Sequence, residues 1–129
     1  CMDLDGFKGV NDRLGHAAGD ELLRLVAARL AGCLRGGDLL VRQGGDEFLV
    51  LAETRPDGGD QAEGLARRIL AEVARPYALA EGEARIGVSI GLAQWPAQGR
   101  SMDEVLSRAD EALYAAKRAG KGTLRRHGD

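Results

Sequence analysis

Apolar residues recur every three or four positions in several stretches of the chain, which is the spacing of the buried face of an α-helix. The pattern predicts helices over residues 7–14, 20–34, 60–75 and 101–120. The first helix ends at Gly15, and the last two begin with capping boxes, Asp60 to Glu63 and Ser101 to Glu104. The third helix must stop before Pro76, because proline disfavours a helical conformation in the residue that precedes it.

Shorter apolar runs, alternating or rich in leucine and β-branched residues, predict the strands. They lie at residues 1–4, 38–41, 48–52, 77–79 and 84–94, with a short edge strand at 123–124. Gly44 and Gly45 separate the second and third runs and indicate the tip of a β-hairpin. Glu81 and Gly82 form a turn that pairs the run at 77–79 with the longer run after it.

These elements follow one another as strand, helices, hairpin, helix, strand and helix. The simplest right-handed arrangement for that order is an α+β fold, a ferredoxin-like β-α-β-β-α-β sheet with its helices packed on one face. The run at 77–79 adds a small extra hairpin. The chain has 129 residues and no segment typical of a linker, so residues 1–129 are predicted to form a single domain.

The composition narrows the classes of function. With 18 Lys and Arg against 20 Asp and Glu, the net charge of −2 argues against a large phosphate-neutralising surface, so nucleic acid is not a predicted partner. No apolar run approaches the ~20 residues of a membrane-spanning helix, and no signal peptide is recognisable, so we expect a soluble segment without membrane contact. Cys1 and Cys33 indicate neither a disulfide framework nor a zinc site.

Acidic residues gather at two predicted strand ends. Asp3 and Asp5 close the first strand, and Asp46 with Glu47 follows the glycine pair of the hairpin. If the two strands are neighbours, these carboxylates repel one another unless a cation neutralises some of them, and oxygen ligands without His or Cys suit Mg²⁺ or Mn²⁺. The competing interpretation is that each acid is a solvated turn or capping residue, which is the commoner case for any single one.

A phosphate-binding interpretation accompanies the metal hypothesis. Gly44 and Gly45 leave backbone exposed beside the carboxylates, where a bulky anion could approach. Lys8 follows the first strand, and Lys117 and Lys121 lie at the end of the last helix, where they could hold phosphate. A glycine pair alone is only a turn signal, and lysines at a helix C-terminus are ordinarily explained by the macrodipole.

The segment Arg42 to Phe48 contains Gly-Gly-Asp-Glu-Phe, and with it the sequence resembles the GGDEF family of diguanylate cyclases. The resemblance runs through the entire chain with fitting spacing. Further matches are Asp3-Leu4-Asp5-Gly6-Phe7-Lys8, Asn11-Asp12, Gly15-His16-Ala17-Ala18-Gly19-Asp20, Ser89-Ile90-Gly91, Arg108-Ala109-Asp110, Ala112-Leu113-Tyr114 and Ala116-Lys117.

The resemblance implies a palm-like β-α-β-β-α-β core that condenses two GTP into cyclic di-GMP and two pyrophosphates, with one GTP on each subunit of a transient twofold dimer. Carried over by position, Asp3, the Leu4 carbonyl and Asp46 hold Mg²⁺ (or Mn²⁺). Glu47 either joins the second metal site or helps to deprotonate the attacking 3′-hydroxyl. The division of roles between Asp46 and Glu47 stays open at this point.

The resemblance also implies how GTP is bound. Asn11 and Asp20 read the guanine edge, because a carboxylate can accept from the ring N–H and the exocyclic amine while an amide both donates and accepts. Lysines neutralise the triphosphate, which lies over the glycine pair. These lysines are Lys8, Lys117 and Lys121. Lys8 is counted, with Asp46 and Glu47, among the catalytic residues.

Arg35-Gly36-Gly37-Asp38 matches the Arg-x-x-Asp motif that forms the family's inhibitory site for the product. Arginine can fork to guanine or phosphate, and aspartate can accept from guanine. Without the family, the same residues indicate only a helix end followed by a turn. Arg67 or Arg68 is a candidate to complete this site.

The sequence departs from the family pattern in two places. It begins inside the first strand, without the helical segment that usually precedes it, so the domain is N-terminally truncated relative to the family and we expect reduced stability and activity. Lys121-Gly122 stands where Arg-Asn is usual, which predicts a weaker phosphate contact, because lysine lacks the bidentate fork of arginine.

Two other classes of function compete with the cyclase. One is a catalytically inactive regulatory module that binds GTP or cyclic di-GMP, against which the intact Gly44 to Phe48 argues. The other is a ferredoxin-like interaction domain, which leaves unexplained the joint presence of five residues, namely Asp3, Asn11, Asp20, Asp46 and Lys117. From the family we expect a bacterial cytoplasmic location and an upstream sensor or dimerisation domain in a larger signalling protein.

Overall fold

The computed structural model describes residues 1–52, 61–95, 97 and 99–128. In these parts of the chain the helices are α1 (Phe7–Leu14), α2 (His16–Cys33), α3 (Gln61–Val73) and α4 (Met102–Arg118). The strands are β1 (Met2–Asp5), β2 (Leu39–Gly44), β3 (Glu47–Leu51), β4 (Tyr77–Leu79), β5 (Gly82–Ala84), β6 (Gly87–Leu92) and β7 (Leu124–Arg126). The α+β, palm-like class predicted from the sequence is confirmed.

The main sheet has five strands in the order β2-β3-β1-β6-β7. The short strand β1 lies at its centre and is antiparallel to both neighbours, so that Asp3 pairs with Glu47 of β3 on one side and with Ser89 of β6 on the other. β7 pairs with β6 in the parallel direction. The adjacency of β1 and β3, on which the metal hypothesis depends, is therefore present.

The predicted strand at 84–94 is wrong as a single element. Its first part is β5, which pairs with β4 in a separate two-stranded sheet, and its second part is β6 of the main sheet. Ala84, Ile86, Val88 and Ile90 are nevertheless all buried in one core, so the apolar alternation runs unbroken through the change of sheet. Hydropathy alone could not reveal that the hydrogen-bonding partner changes. The extra hairpin itself is confirmed.

Helix α2 begins four residues earlier than predicted, at His16, directly after Gly15. Gly15 has a φ of 95°, which ends α1 and redirects the chain into α2. The first turn of α2 carries no large apolar side chain, yet Ala18 is fully buried. The predicted N-cap of α3, Asp60, lies outside the described residues, whereas Ser101 caps α4 by accepting from the Glu104 N–H.

The helices cover both faces of the sheet, not one face as expected. Val88 and Ile90 of β6 pack in the core with α2 and α3. Successive strand residues point to opposite faces, so Ser89 and Gly91 face the other side. There α4 lies directly on Gly91, since a Cβ at that residue would be 2.1 Å from the Ala109 carbonyl oxygen. α4 thus shares a face with Asp3, which pairs with Ser89.

Within the described residues, no helix combines the length and the apolar character needed to cross a bilayer.

Candidate active site

The pairing of β1 with β3 brings the two predicted metal ligands together. Asp3 lies opposite Glu47, and the Leu4 N–H donates to the Asp46 carbonyl at 3.0 Å. The tip of the β2-β3 hairpin is therefore fixed by a backbone hydrogen bond to the central strand. Asp46 consequently lies beside Asp3 even though the two are 43 positions apart in the sequence.

Lys117, in the last turn of α4, forms an ion pair with Asp3 through the carboxylate oxygen Oδ2. The Asp3 side chain is only 13% exposed and that of Lys117 is 36% exposed. The second oxygen of the same carboxylate, Asp3 Oδ1, is buried and has no hydrogen-bond partner. A buried carboxylate oxygen without a partner costs free energy, so Asp3 is prepared for a ligand that donates or carries positive charge.

The charges of this cluster are unbalanced, with more negative than positive groups. Burial raises the pKa of Asp46 above its usual range, and the charge of the neighbouring Asp3 raises it further, while Lys117 partly counteracts both. The pKa of Lys117 is raised chiefly by its hydrogen bond to Asp3, with Asp3, Asp5 and Asp46 adding attraction. One lysine therefore faces several carboxylates, and the cluster favours an additional cation.

Asp5 is already engaged by the protein and so differs from Asp3. Its Oδ2 accepts from the Ser89 hydroxyl at 2.7 Å and from the Gly122 N–H at 2.9 Å. Ser89 is fully buried, and sequence reasoning did not assign it a role. A polar residue inside the apolar alternation of β6 was the available signal. Asp5 thereby links β1, β6 and the segment after α4.

The glycine pair forms the hairpin tip as predicted. Gly44 has a φ of 138° and Gly45 a φ of 51°, both in the region that favours glycine. A Cβ on either residue would meet no other atom within 4 Å, so backbone conformation rather than crowding requires glycine here. The Arg42 side chain donates to the Gly45 carbonyl at 3.0 Å and steadies the tip. An exposed turn of this kind is open to a large anion.

The remaining predicted phosphate and metal residues are exposed around this cluster. Lys8 lies in the first turn of α1, three residues after Asp5, and Lys121 follows α4 with a left-handed backbone, φ 65°. Glu47 is exposed at the register position opposite Asp3. The structure records no contact that ties these three side chains to Asp3 or Asp46.

The residues predicted to read guanine lie at the corner between α1 and α2. Asn11 is on α1, and Asp20 is exposed on the second turn of α2. The Asn11 amide lies against Gly19, the neighbour of Asp20, with its Oδ1 only 1.8 Å from where a Cβ of Gly19 would stand. The fold therefore places the amide of Asn11 next to the residue that precedes Asp20.

The residues predicted for product inhibition form a separate pocket. The Arg35 N–H donates to Asp38 Oδ2 at 2.9 Å, and the Asp38 N–H donates to the Arg35 carbonyl at 3.0 Å. Both line a cavity of about 250 Å³ together with Arg68. Arg67 points elsewhere and pairs with Glu63 at 2.9 Å. The choice between Arg67 and Arg68 that the sequence left open thus favours Arg68.

The cluster fits a divalent cation in its chemistry. Among the described residues no three Asp, Glu, His or Cys side chains form a ready-made cage. Asp3 and Asp46 do come together, however, with one buried oxygen unpaired and with mutual repulsion that a cation would relieve. A site with two carboxylates that is completed by backbone carbonyl, water and phosphate oxygens suits Mg²⁺ rather than a metal held by protein alone.

These features define an α+β palm-like domain with an acidic centre under a glycine turn. A family model described as "Diguanylate cyclase, GGDEF domain" matches residues 1–123. The chain belongs to the GGDEF domain family.

Individual proteins agree with this assignment. The bifunctional diguanylate cyclase/cyclic di-GMP phosphodiesterase MucR of Pseudomonas aeruginosa is 43% identical over 93% of the chain, which spans 17% of MucR. The crystal structure of the GGDEF domain of YfiN (TpbB) from the same organism superposes with a TM-score of 0.92 at 41% identity, covering 99% of this chain and 80% of that one.

A further structure is informative about ligands. The GGDEF domain of DgcB from Caulobacter crescentus, solved in complex with c-di-GMP, has a TM-score of 0.85 at 30% identity and covers 99% of this chain and 73% of that one. The chain spans between 15% and 28% of the lengths of the curated relatives it matches.

Proposed function

We propose that this domain is an active diguanylate cyclase that condenses two GTP into cyclic di-GMP and two pyrophosphates. The observation that carries the proposal is the pairing of β1 with β3, which sets Asp46 of the glycine turn beside Asp3, whose Oδ1 is buried without a partner. An interaction domain has no use for an unpaired buried carboxylate oxygen. A centre for Mg²⁺-dependent phosphoryl transfer can use such an oxygen as a metal ligand.

Asp3 and Asp46 would hold Mg²⁺ (or Mn²⁺) together with the Leu4 carbonyl, and Glu47 is the side chain available for a second ion. The ion supplies charge neutralisation on the triphosphate and polarisation of the α-phosphate. Lys117 holds the Asp3 side chain in place through its ion pair. We assign neutralisation of the outer phosphates to Lys8, five positions after Asp3 in the chain, and to Lys121, four positions after Lys117.

Guanine recognition is assigned to the α1-α2 corner. The Asp20 carboxylate can accept from the ring N–H and the exocyclic amine of guanine, and the Asn11 amide can donate and accept. Adenine offers no such pair of donors, so this corner selects GTP over ATP. We assign the triphosphate to the exposed glycine turn, where an added Cβ would meet no atom within 4 Å.

The reaction needs two copies of the site. In each step a ribose 3′-oxygen attacks the α-phosphorus of the other GTP, a phosphodiester bond forms, the bond to the β-phosphate breaks and pyrophosphate leaves. We assign to Glu47, which is exposed opposite Asp3, either help in removing the 3′-proton or binding of the second ion. The part of the chain that the structure describes holds one such acidic centre, so we assign the second half-site to a transient homodimer. The rest of a larger cytoplasmic protein would supply the sensor or dimerisation domain.

Product formation from GTP and Mg²⁺ across a wide range of protein concentration tests the proposal. We expect cyclic di-GMP on chromatography, with an initial rate that rises more steeply than linearly with protein because two subunits form each active site. A rate proportional to protein would contradict the two-subunit site. GTP binding without product at the highest concentration would contradict the cyclase and support a nucleotide-binding regulatory module.

Product inhibition is proposed for the pocket of Arg35, Asp38 and Arg68. Arg68→Ala is expected to leave the initial rate unchanged and to raise the cyclic di-GMP concentration for half-inhibition about tenfold or more, because a charge-assisted contact is lost. Arg67→Ala is the matched control, since Arg67 pairs with Glu63 outside the pocket. Equal effects of the two substitutions on inhibition would remove the assignment.

A binding-only module remains the second candidate because this pocket shares no residue with the acidic centre. Calorimetry with cyclic di-GMP distinguishes the two candidates. Binding that requires Arg35 and Asp38, in a protein without turnover, would identify a cyclic di-GMP receptor. Turnover together with such binding identifies a product-regulated cyclase.

A further inference from the structure

Two glycines of α2 occupy very different surroundings. At Gly19, an added Cβ would lie 1.8 Å from Asn11 Oδ1, 2.8 Å from its Cγ and 3.4 Å from its Nδ2. At Gly32, on the same helix, an added Cβ would meet no atom within 4 Å. The whole amide of Asn11 therefore lies over the bare backbone of Gly19, at a separation that no other residue type allows.

We propose that Gly19 is a positioning residue for guanine recognition, because its missing side chain is what seats the Asn11 amide beside Asp20. The inference rests on the proposed binding of guanine by Asn11 and Asp20 and adds the residue that sets the distance between them. Gly19 itself need not touch the nucleotide. It acts through the orientation of Asn11.

The nature of the obstacle predicts where the effect of a substitution appears. The atoms in the way belong to the end of the Asn11 side chain and not to backbone. A Cβ at Gly19 therefore displaces the amide by rotation about its side-chain bonds while α1 and α2 keep their places. Alanine is also more favourable than glycine in the interior of a helix, so we expect the stability of the fold to be largely preserved. The substitution is therefore expected to weaken nucleotide binding.

A double-mutant cycle tests the proposal with Gly19→Ala, Asn11→Ala and the combined variant, and with Gly32→Ala as the control on the same helix. Initial rates against GTP concentration give KM and kcat, and thermal unfolding gives Tm. For Gly19→Ala we expect a KM about tenfold higher, equivalent to the loss of about one hydrogen bond to the base, with kcat within about twofold. Gly32→Ala should leave KM unchanged.

The combined variant gives the discriminating result. Asn11→Ala removes the atoms that a Cβ at Gly19 would meet, so adding Gly19→Ala in that background should change KM by less than about twofold. Additive effects on KM would overturn the proposal, because Gly19 would then act independently of Asn11. A wild-type KM for Gly19→Ala in a protein that turns over GTP would overturn it as well.

Failure of the proposed function looks different from failure of this inference. A wild-type protein that neither binds nor converts GTP contradicts both. If the wild type binds GTP without turnover, the cycle is run on the dissociation constant for GTP, and the same tenfold and twofold criteria decide whether Gly19 seats Asn11. A lower Tm in Gly19→Ala together with unchanged GTP affinity would assign the glycine a purely structural role.

Discussion

Asp46→Asn is expected to lower cyclic di-GMP formation by at least about 100-fold, the scale observed when one preorganised electrostatic group is removed from an active site. The substitution keeps the shape of the side chain and removes its charge. The centre then loses one of its two neighbouring carboxylates and keeps Asp3, whose Oδ1 has no partner. Turnover is measured by chromatography at saturating GTP and Mg²⁺.

The same substitution should not reduce stability. Asp46 is partly buried beside Asp3, and its charge is disfavoured there, as its raised pKa shows. Removing that charge relieves repulsion, so Tm should stay constant or rise. Glu81→Gln, an isosteric change in the exposed β4-β5 turn, is the matched control and should affect neither quantity. Turnover near the wild-type level in Asp46→Asn would remove Asp46 from the metal site.

Gly91→Ala is expected to lower the free energy of unfolding by about 3 kcal/mol or more, the range of severe overpacking. The Cβ would stand 2.1 Å from the Ala109 carbonyl oxygen and 2.3 Å from the Leu113 nitrogen. Both atoms belong to the backbone of α4, which can only move as a unit. Since Lys117 lies on the same helix, displacement of α4 also weakens its ion pair with Asp3.

Urea unfolding measures this effect, with Gly87→Ala as the control in the same strand. A Cβ at Gly87 would meet its nearest atom, Asp5 Cβ, at 3.9 Å, which is ordinary contact. Its free energy of unfolding should change by less than about 1 kcal/mol. Equal stability of the two alanine variants would show that α4 does not lie on Gly91 as described.

Gly19 and Gly91 illustrate how the same steric conflict has different consequences. Each would place a Cβ about 2 Å from another atom. At Gly91 the nearest atoms belong to the backbone of α4, so we expect the substitution to lower the stability of the fold. At Gly19 the nearest atoms belong to the rotatable amide of Asn11, so we expect the substitution to weaken nucleotide binding.

Much of the fold could be predicted because its signals are local. Helical periodicity identified all four described helices, and the glycine pair located the β2-β3 hairpin. The proximity of Asp3 and Asp46 followed once the two strands were assumed to be neighbours, and the structure confirms that assumption. The family motif then suggested roles for side chains that, considered singly, indicate no function.

Other features are invisible to a local pattern because they depend on what lies across the sheet. Ala84 to Leu92 alternates without interruption, yet it belongs to two sheets, since both halves bury the same face. The placement of α4 on the opposite face depends on the small size of Gly91. Likewise, Ser89 is explained only by its partner Asp5, which lies 84 positions earlier in the sequence.

The ion pair of Asp3 with Lys117 joins residues 114 positions apart. β1 is synthesised before its partners β3, β6 and α4, which lie further along the chain. Contacts between residues so far apart in the sequence carry a loop-closure cost and tend to form late in folding. The acidic centre therefore gains the compensating charge of Lys117 only when α4 has docked, so the arrangement of Asp3, Asp46 and Lys117 is completed late in folding.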